Sequence, residues 1–302
     1  MLLRNCAFIL FVILPFLVFA QQQPDVDFAF NIAEPEYEKG EGPVLCIDSA
    51  HNNFHTLDGG FAPFARVLQH DGYVVKDFNY PFTETDQLKT CNVFVIVNPL
   101  HESNIGNWVL PNPSAFSKEE ILSLNQWVKE GGALFLIADH MPFAGAASEL
   151  GLSFGFRFRN GFATLEKDQD QPDLFTLENG RLLKSPVSGN EITSVTTFTG
   201  SAFTYPEEAI PVLVFKKGDF SLEPERAWQF DESTKTVGLG NHTHGAIMEY
   251  GSGKLAVFGE AAMFTAQTIQ TPQGEVFKIG LNNTQLAPQN LQFLLTLMHW
   301  LD

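Results

Sequence analysis

Residues 44–60 read Val44-Leu45-Cys46-Ile47-Asp48-Ser49-Ala50-His51-Asn52-Asn53-Phe54-His55-Thr56-Leu57-Asp58-Gly59-Gly60. A short, unbroken apolar run is the mark of a strand covered on both faces. The change of chemistry at Asp48 then sets Asp48, His51, Asn52 and His55 just beyond the strand's carboxyl end. Similar alternations follow: a helix over 61–70, strands over 73–77 and 93–97, and a second helix opened by Phe116-Ser117-Lys118-Glu119-Glu120-Ile121. Ser117 has the position of an N-cap, Glu120 closes a capping box, and Phe116 is placed to staple onto Ile121. That helix stops at Gly131-Gly132, and 133–138, Ala-Leu-Phe-Leu-Ile-Ala, is a fourth strand.

Apolar strands joined by helices predict an α/β fold with a mostly parallel sheet, wound by right-handed crossovers and covered on both faces. In such sheets ligands bind beyond the carboxyl ends of the strands, near the switch in strand order. From about 154 to 230 the pattern turns to period two and to Thr- and Phe-rich runs, with Asn179-Gly180 as a tight turn, which predicts a β-rich insertion. Strands resume over 236–240 and 254–258, and 289–301 forms a closing amphipathic helix.

Residues 1–20 hold one charge, Arg4, an apolar run and Val18-Phe19-Ala20 before a polar Gln-Gln-Gln-Pro, the pattern of a cleaved secretory signal peptide. The expected mature chain of about 282 residues is exported, periplasmic or secreted, with no stable membrane anchor, and is long enough for one large domain. Residues 21–42 read as a leader that drapes over a domain spanning 43–302. The formal charge of −17, or −18 without Arg4, argues against nucleic acid as a partner. After cleavage only Cys46 and Cys91 remain; one bridge and two buried thiols are both open.

Polar residues follow the apolar strands in five segments. The first supplies Asp48, His51, Asn52 and His55; the third strand is followed by Asn98, and the fourth by Asp139 and His140. Late in the chain come Asn241, His242 and His244 in Gly-Leu-Gly-Asn-His-Thr-His-Gly-Ala, and Glu260 in Ala-Val-Phe-Gly-Glu-Ala-Ala. Five of the eight histidines fall in these segments, and a doubly wound sheet would bring them to one rim. Imidazole and carboxylate together suit a divalent, zinc-like metal. His51, His140, His242 and His244 are the candidate ligands, Asp139 and Glu260 the candidate catalytic carboxylates, and Asp48, Asn52, Asn98 and Asn241 the candidate binding residues. Capping of the segments after them is the competing role for Asp139 and Glu260. No nucleophile elbow, Walker loop or dinucleotide fingerprint occurs.

The segments VLCIDSAHNNFHTLDGGFAPFARVLQHDGYVV, FSKEEILSLNQWVKEGGALFLIADHMPFAGAASELG and YGSGKLAVFGEAAMF together resemble an exported branch, of unknown function, of the class I glutamine amidotransferase-like superfamily. The resemblance spans about 43–302 and implies a flavodoxin-like three-layer α/β/α core. Amidotransferases of that superfamily use a Cys at a strand-to-helix elbow. Here the fourth strand ends Ala138-Asp139-His140, so glutaminase chemistry is not carried over. The first expectation is a metal-dependent hydrolase with its site on the strand-end rim. The alternatives are a non-catalytic binding domain for a small polar ligand or glycan, and a structural partner in an envelope assembly.

Overall fold

The computed structural model describes residues 22–166, 172–270 and 274–302, so the signal peptide expected at 1–20 lies outside the described residues. Five parallel strands run side by side in the order Val74–Phe78, Val44–Asp48, Val93–Val97, Ala133–Ile137, Gly253–Phe258. Numbered along the chain this is 2-1-3-4-5, the flavodoxin-like winding. Strand residues alternate between two cores, as period two requires. Leu45, Ile47, Val95, Phe135 and Phe258 face one layer with Phe64 and Leu68 of the Ala62–His70 helix and Leu294 and Leu297 of the Asn290–Leu301 helix. Cys46, Phe94, Leu136 and Val257 face the other, with Leu124 and Val128 of the Lys118–Lys129 helix. The α/β/α sandwich follows from that alternation.

The sheet is mixed and holds eleven strands. Thr243–Tyr250 turns back on Gly253–Phe258 as an antiparallel hairpin. Beyond it lie Gly200–Thr204, Arg157–Thr164, Phe220–Glu223 and, at the edge, Lys235–Gly238. The β-rich region therefore extends the same sheet, apart from the small Asp173–Thr176/Ser194–Thr197 pair. The capping box at Ser117 forms as expected, the Glu120 amide donating to Ser117 Oγ and the Ser117 amide to Glu120 Oε2.

The leader is built into the domain. Gln22–Pro24 pairs with Ala266–Gln270, Phe28 is buried in the core, and Arg66 lies over the Phe30 ring. Cys46 and Cys91 form a disulfide, which settles the choice left open between a bridge and free thiols. No helix of the described residues is long and apolar enough to cross a membrane.

Candidate active site

A cavity of about 1350 Å³ opens at the carboxyl edge of the parallel strands. Asp139 and His140, following the fourth strand, and Glu260, following the fifth, line it together with His55 from the loop after the first. These residues are distant in sequence, and the winding brings them together.

Asp139 and Glu260 are neighbouring buried carboxyls. Asp139 Oδ1 accepts from the amide of Ala261, the residue after Glu260, at 2.6 Å, and Oδ2 accepts from Asn98 Nδ2 at 2.8 Å. Asn98 Oδ1 in return accepts from the Asp139 amide at 2.9 Å. Asn98 holds φ +49°, a left-handed conformation that Asn tolerates better than most residues. Glu260 Oε2 accepts from the Met263 amide at 2.8 Å, whereas Oε1 is buried with no partner. Burial pushes the Asp139 carboxyl up to about 7, despite the Asn98 and Ala261 bonds. Burial, and then the adjacent Asp139 charge, raise Glu260 well above the usual carboxylate range. Ionisation of Asp139 disfavours ionisation of Glu260, so the two carboxyls titrate as a coupled pair. Of the two capping roles Glu260 fills its own, accepting from the Met263 amide of the Ala262–Phe264 turn, whereas Asp139 binds the Ala261 amide and does not cap the segment that follows it.

His140 is held as a neutral imidazole. Its Nδ1 donates to the Met141 carbonyl at 2.6 Å, which leaves Nε2 as an acceptor. The ring stacks on Phe162 at 4.4 Å and meets the edge of Trp228 at 4.7 Å. Burial lowers its pKa to about 4, with the Met141 bond opposing. His55 is likewise brought to about 4 by burial. Gly60 makes room for it: a Cβ there would lie 1.9 Å from His55 Nδ1.

Aromatic side chains wall the cavity. Trp108 packs on Phe143 at 5.1 Å and on Phe54 at 5.4 Å, and Trp228 stands half exposed beside His140. Trp228 adopts φ +66°, a conformation costing a bulky residue about 1–3 kcal/mol, and such strain gathers at functional sites. Neither Trp was singled out from the sequence. The only signal was large aromatics in two largely polar loops, Trp108 after Asn107, and Trp228 with Phe230 after Arg226-Ala227.

The four imidazoles expected to share a metal do not converge. His51 points into the helix layer between Phe82 and Phe116, and both its nitrogens are engaged, Nδ1 by Asp48 at 2.9 Å and Nε2 by Glu120 at 3.1 Å. His242 lies just before the Thr243–Tyr250 strand, where Arg159 and Glu223 act on it, and does not line the cavity. His244 donates from Nδ1 to the Ser201 carbonyl at 2.6 Å and stacks on Phe175 outside the cavity lining, its buried Nε2 unpartnered. His140 alone of the four lines the cavity. Among the described residues no cluster of three or more His, Cys, Asp or Glu could hold a metal ion. A zinc site needs such a set around one point, and the donors present do not fit it.

Of the candidate binding residues, Asn98 contributes by orienting Asp139. Asp48 is consumed by His51 and by the Ala50 amide, Asn52 ties its loop to the Leu100 carbonyl, and Asn241 is exposed and away from the cavity.

Solved structures of similar fold exist. The N-terminal domain of mmIFT52 matches with a TM-score of 0.58 at 14% identity, over 85% of this chain and 96% of that one. The cytoplasmic protein STM3548 from Salmonella typhimurium matches at 0.50 and 14% identity, over 86% and 98%. At these identities the likeness shows the fold alone, an α/β fold with a flavodoxin-like parallel core. A ThuA-like protein from Bacteroides uniformis aligns over 90% of this chain and 94% of its own, with a TM-score of 0.48 and 14% identity. No family model and no curated protein sequence matches the chain. Within this fold Cys46 is buried inside the first strand, bound to Cys91, and Asp139-His140 follows the fourth strand.

Proposed function

We propose that the cavity is the active site of an acid–base hydrolase for a polar substrate, with Glu260 as proton donor and His140 Nε2 as the base. The observation that carries this reading is Glu260 itself: a buried carboxyl beside a second carboxyl, lining a cavity, with one oxygen unpartnered. Environments that push a carboxyl up and an imidazole down make an acid and a base of opposite readiness. In the reaction a water oxygen attacks the electrophilic carbon as His140 Nε2 takes one of the water's protons. The bond from that carbon to the leaving oxygen breaks with its electron pair, and Glu260 supplies the proton to that oxygen. Asp139 acts through Glu260, its charge keeping the donor protonated. A binding domain without turnover is the second reading, favoured by the low basicity of His140.

The test is Asp139→Asn assayed on nitrophenyl esters and nitrophenyl glycosides across pH. A general acid works only while protonated, so the rate falls as pH rises through the Glu260 pKa. Removing the Asp139 charge lowers that pKa, and the alkaline limb of the profile is expected to move to lower pH. An unmoved limb, or no turnover of either substrate type by the unaltered chain, would leave only the binding reading.

We also propose that the chain is exported. The Cys46–Cys91 bridge supports this, because disulfides persist chiefly in oxidising compartments. The intact mass of material recovered from a bacterial periplasm is expected to lack residues 1–20; a mass that retains them overturns the signal-peptide reading.

A further inference from the structure

The walls of the cavity specify an occupant. Two residues of the cavity lining each hold a buried polar atom without a partner: Glu260 Oε1, the oxygen that carries the proton of the acid, and Asn282 Oδ1, an acceptor. The Asn282 amide is oriented by its own bonds: Nδ2 donates to Asp25 Oδ2 at 2.9 Å and to the Gln267 carbonyl at 3.0 Å, so Oδ1 is the atom left over. Buried polar atoms without partners are costly, and ligand hydroxyls, which both donate and accept, relieve that cost. Neutral amides and hydroxyls continue the polar side, among them Thr199, Asn283, Thr284 and Gln285. The lining also holds aromatic rings, with Phe54, Trp228 and Phe277 each about half exposed. Lys278 is the single Lys or Arg among the described lining residues, and the chain as a whole is acidic.

A ligand that offers hydroxyl donors along its edges and apolar C–H faces to aromatic rings, while carrying no charge, is a saccharide. The cavity volume of about 1350 Å³ exceeds the upper range of ordinary small-molecule sites, about 1000 Å³, which calls for several linked units. We infer that the substrate is a neutral oligosaccharide, stacked on Trp228 and hydrogen-bonded by Asn282 and Glu260, and that the hydrolysed bond is glycosidic. Water then adds to the anomeric carbon as the carbon–oxygen bond to the next sugar breaks, and that oxygen leaves as a hydroxyl carrying the proton from Glu260. This inference rests on the hydrolase reading for the cleavage and on the cavity walls for the ligand.

Trp108 and Trp228 both line the cavity, so titration can be followed by tryptophan fluorescence and by calorimetry. The probes are gluco-, xylo-, manno- and galacto-oligosaccharides of one to six units, an oligouronate and choline. At least one neutral oligosaccharide is expected to bind, more tightly as hexamer than as monomer, with its affinity reduced about tenfold or more in Trp228→Ala. Trp228 is half exposed and its replacement is expected to leave thermal unfolding unchanged; Asn282→Leu, which removes the donor-seeking oxygen, supplies a second variant with the same expected loss. Binding of the uronate or choline in place of every neutral sugar, or binding of none, overturns the saccharide inference. Saccharide binding without release of reducing ends supports the ligand class and overturns the hydrolysis. Cleavage of a nitrophenyl ester with no saccharide bound does the reverse.

Discussion

Glu260→Gln is expected to lower turnover by about 10²- to 10⁴-fold, the range that a positioned acid or base supplies, while ligand binding and the fold persist. The protonated carboxyl and the amide are nearly the same shape and are both uncharged. The Gln carbonyl can accept from the Met263 amide as Glu260 Oε2 does, and its NH₂ can still meet a ligand oxygen. The transferable proton is what disappears. Single-turnover rates and equilibrium binding measured on the same variant separate these effects. Turnover within threefold of the unaltered chain would remove Glu260 from the chemistry, whatever its place in the cavity.

His51→Ala is expected to cost about 3–5 kcal/mol of stability near pH 6, the usual loss when one partner of a buried ion pair is removed. His51 bridges Asp48, fully buried at the end of the first strand, and Glu120, at the start of the Lys118–Lys129 helix. Burial pulls the imidazole pKa down, and the two carboxylates outweigh it, so the net shift is upward. Burial likewise pushes Glu120 up, but its bonds from Ser117 and His51 hold it below the ordinary value. A raised imidazole stabilises fully below its unfolded value of about 6.5, and that contribution is lost as pH rises through the folded value. The depressed Glu120 contributes above its unfolded value of about 4.3 and loses that contribution as pH falls through its folded value. Urea unfolding of both chains, with the disulfide intact, is expected to show the widest gap in mildly acidic solution and a narrower one at pH 9. A gap that does not narrow between pH 6 and pH 9 would sink the ion-pair account.

The same residues show what a sequence discloses. Ser117 and Glu120 are three apart, and their capping box follows from helix geometry alone. Glu120 has a second task, holding His51 across a separation of 69 residues, and nothing local announces it. His51 and His55 stand in one loop, yet one is locked in the helix layer and the other lines the cavity. The β-rich stretch announced its strands by period two, but not that Thr243–Tyr250 would weld them to the parallel strands as one sheet.

By itself the sequence determined the buried strands, their covering helices and the placement of Asp139, His140 and Glu260 at strand ends, because hydrophobic period, caps and chain breaks are read over a few residues. Only the tertiary structure decided which polar groups would be satisfied by protein and which left without a partner. It gave His51 two carboxylates, kept His242 and His244 out of the cavity lining, paired Cys46 with Cys91 and left Glu260 Oε1 and Asn282 Oδ1 without partners. The physical reason is that hydrogen bonding and charge at a buried atom depend on whatever long-range packing brings within about 3–4 Å, and no spacing along the chain carries that information.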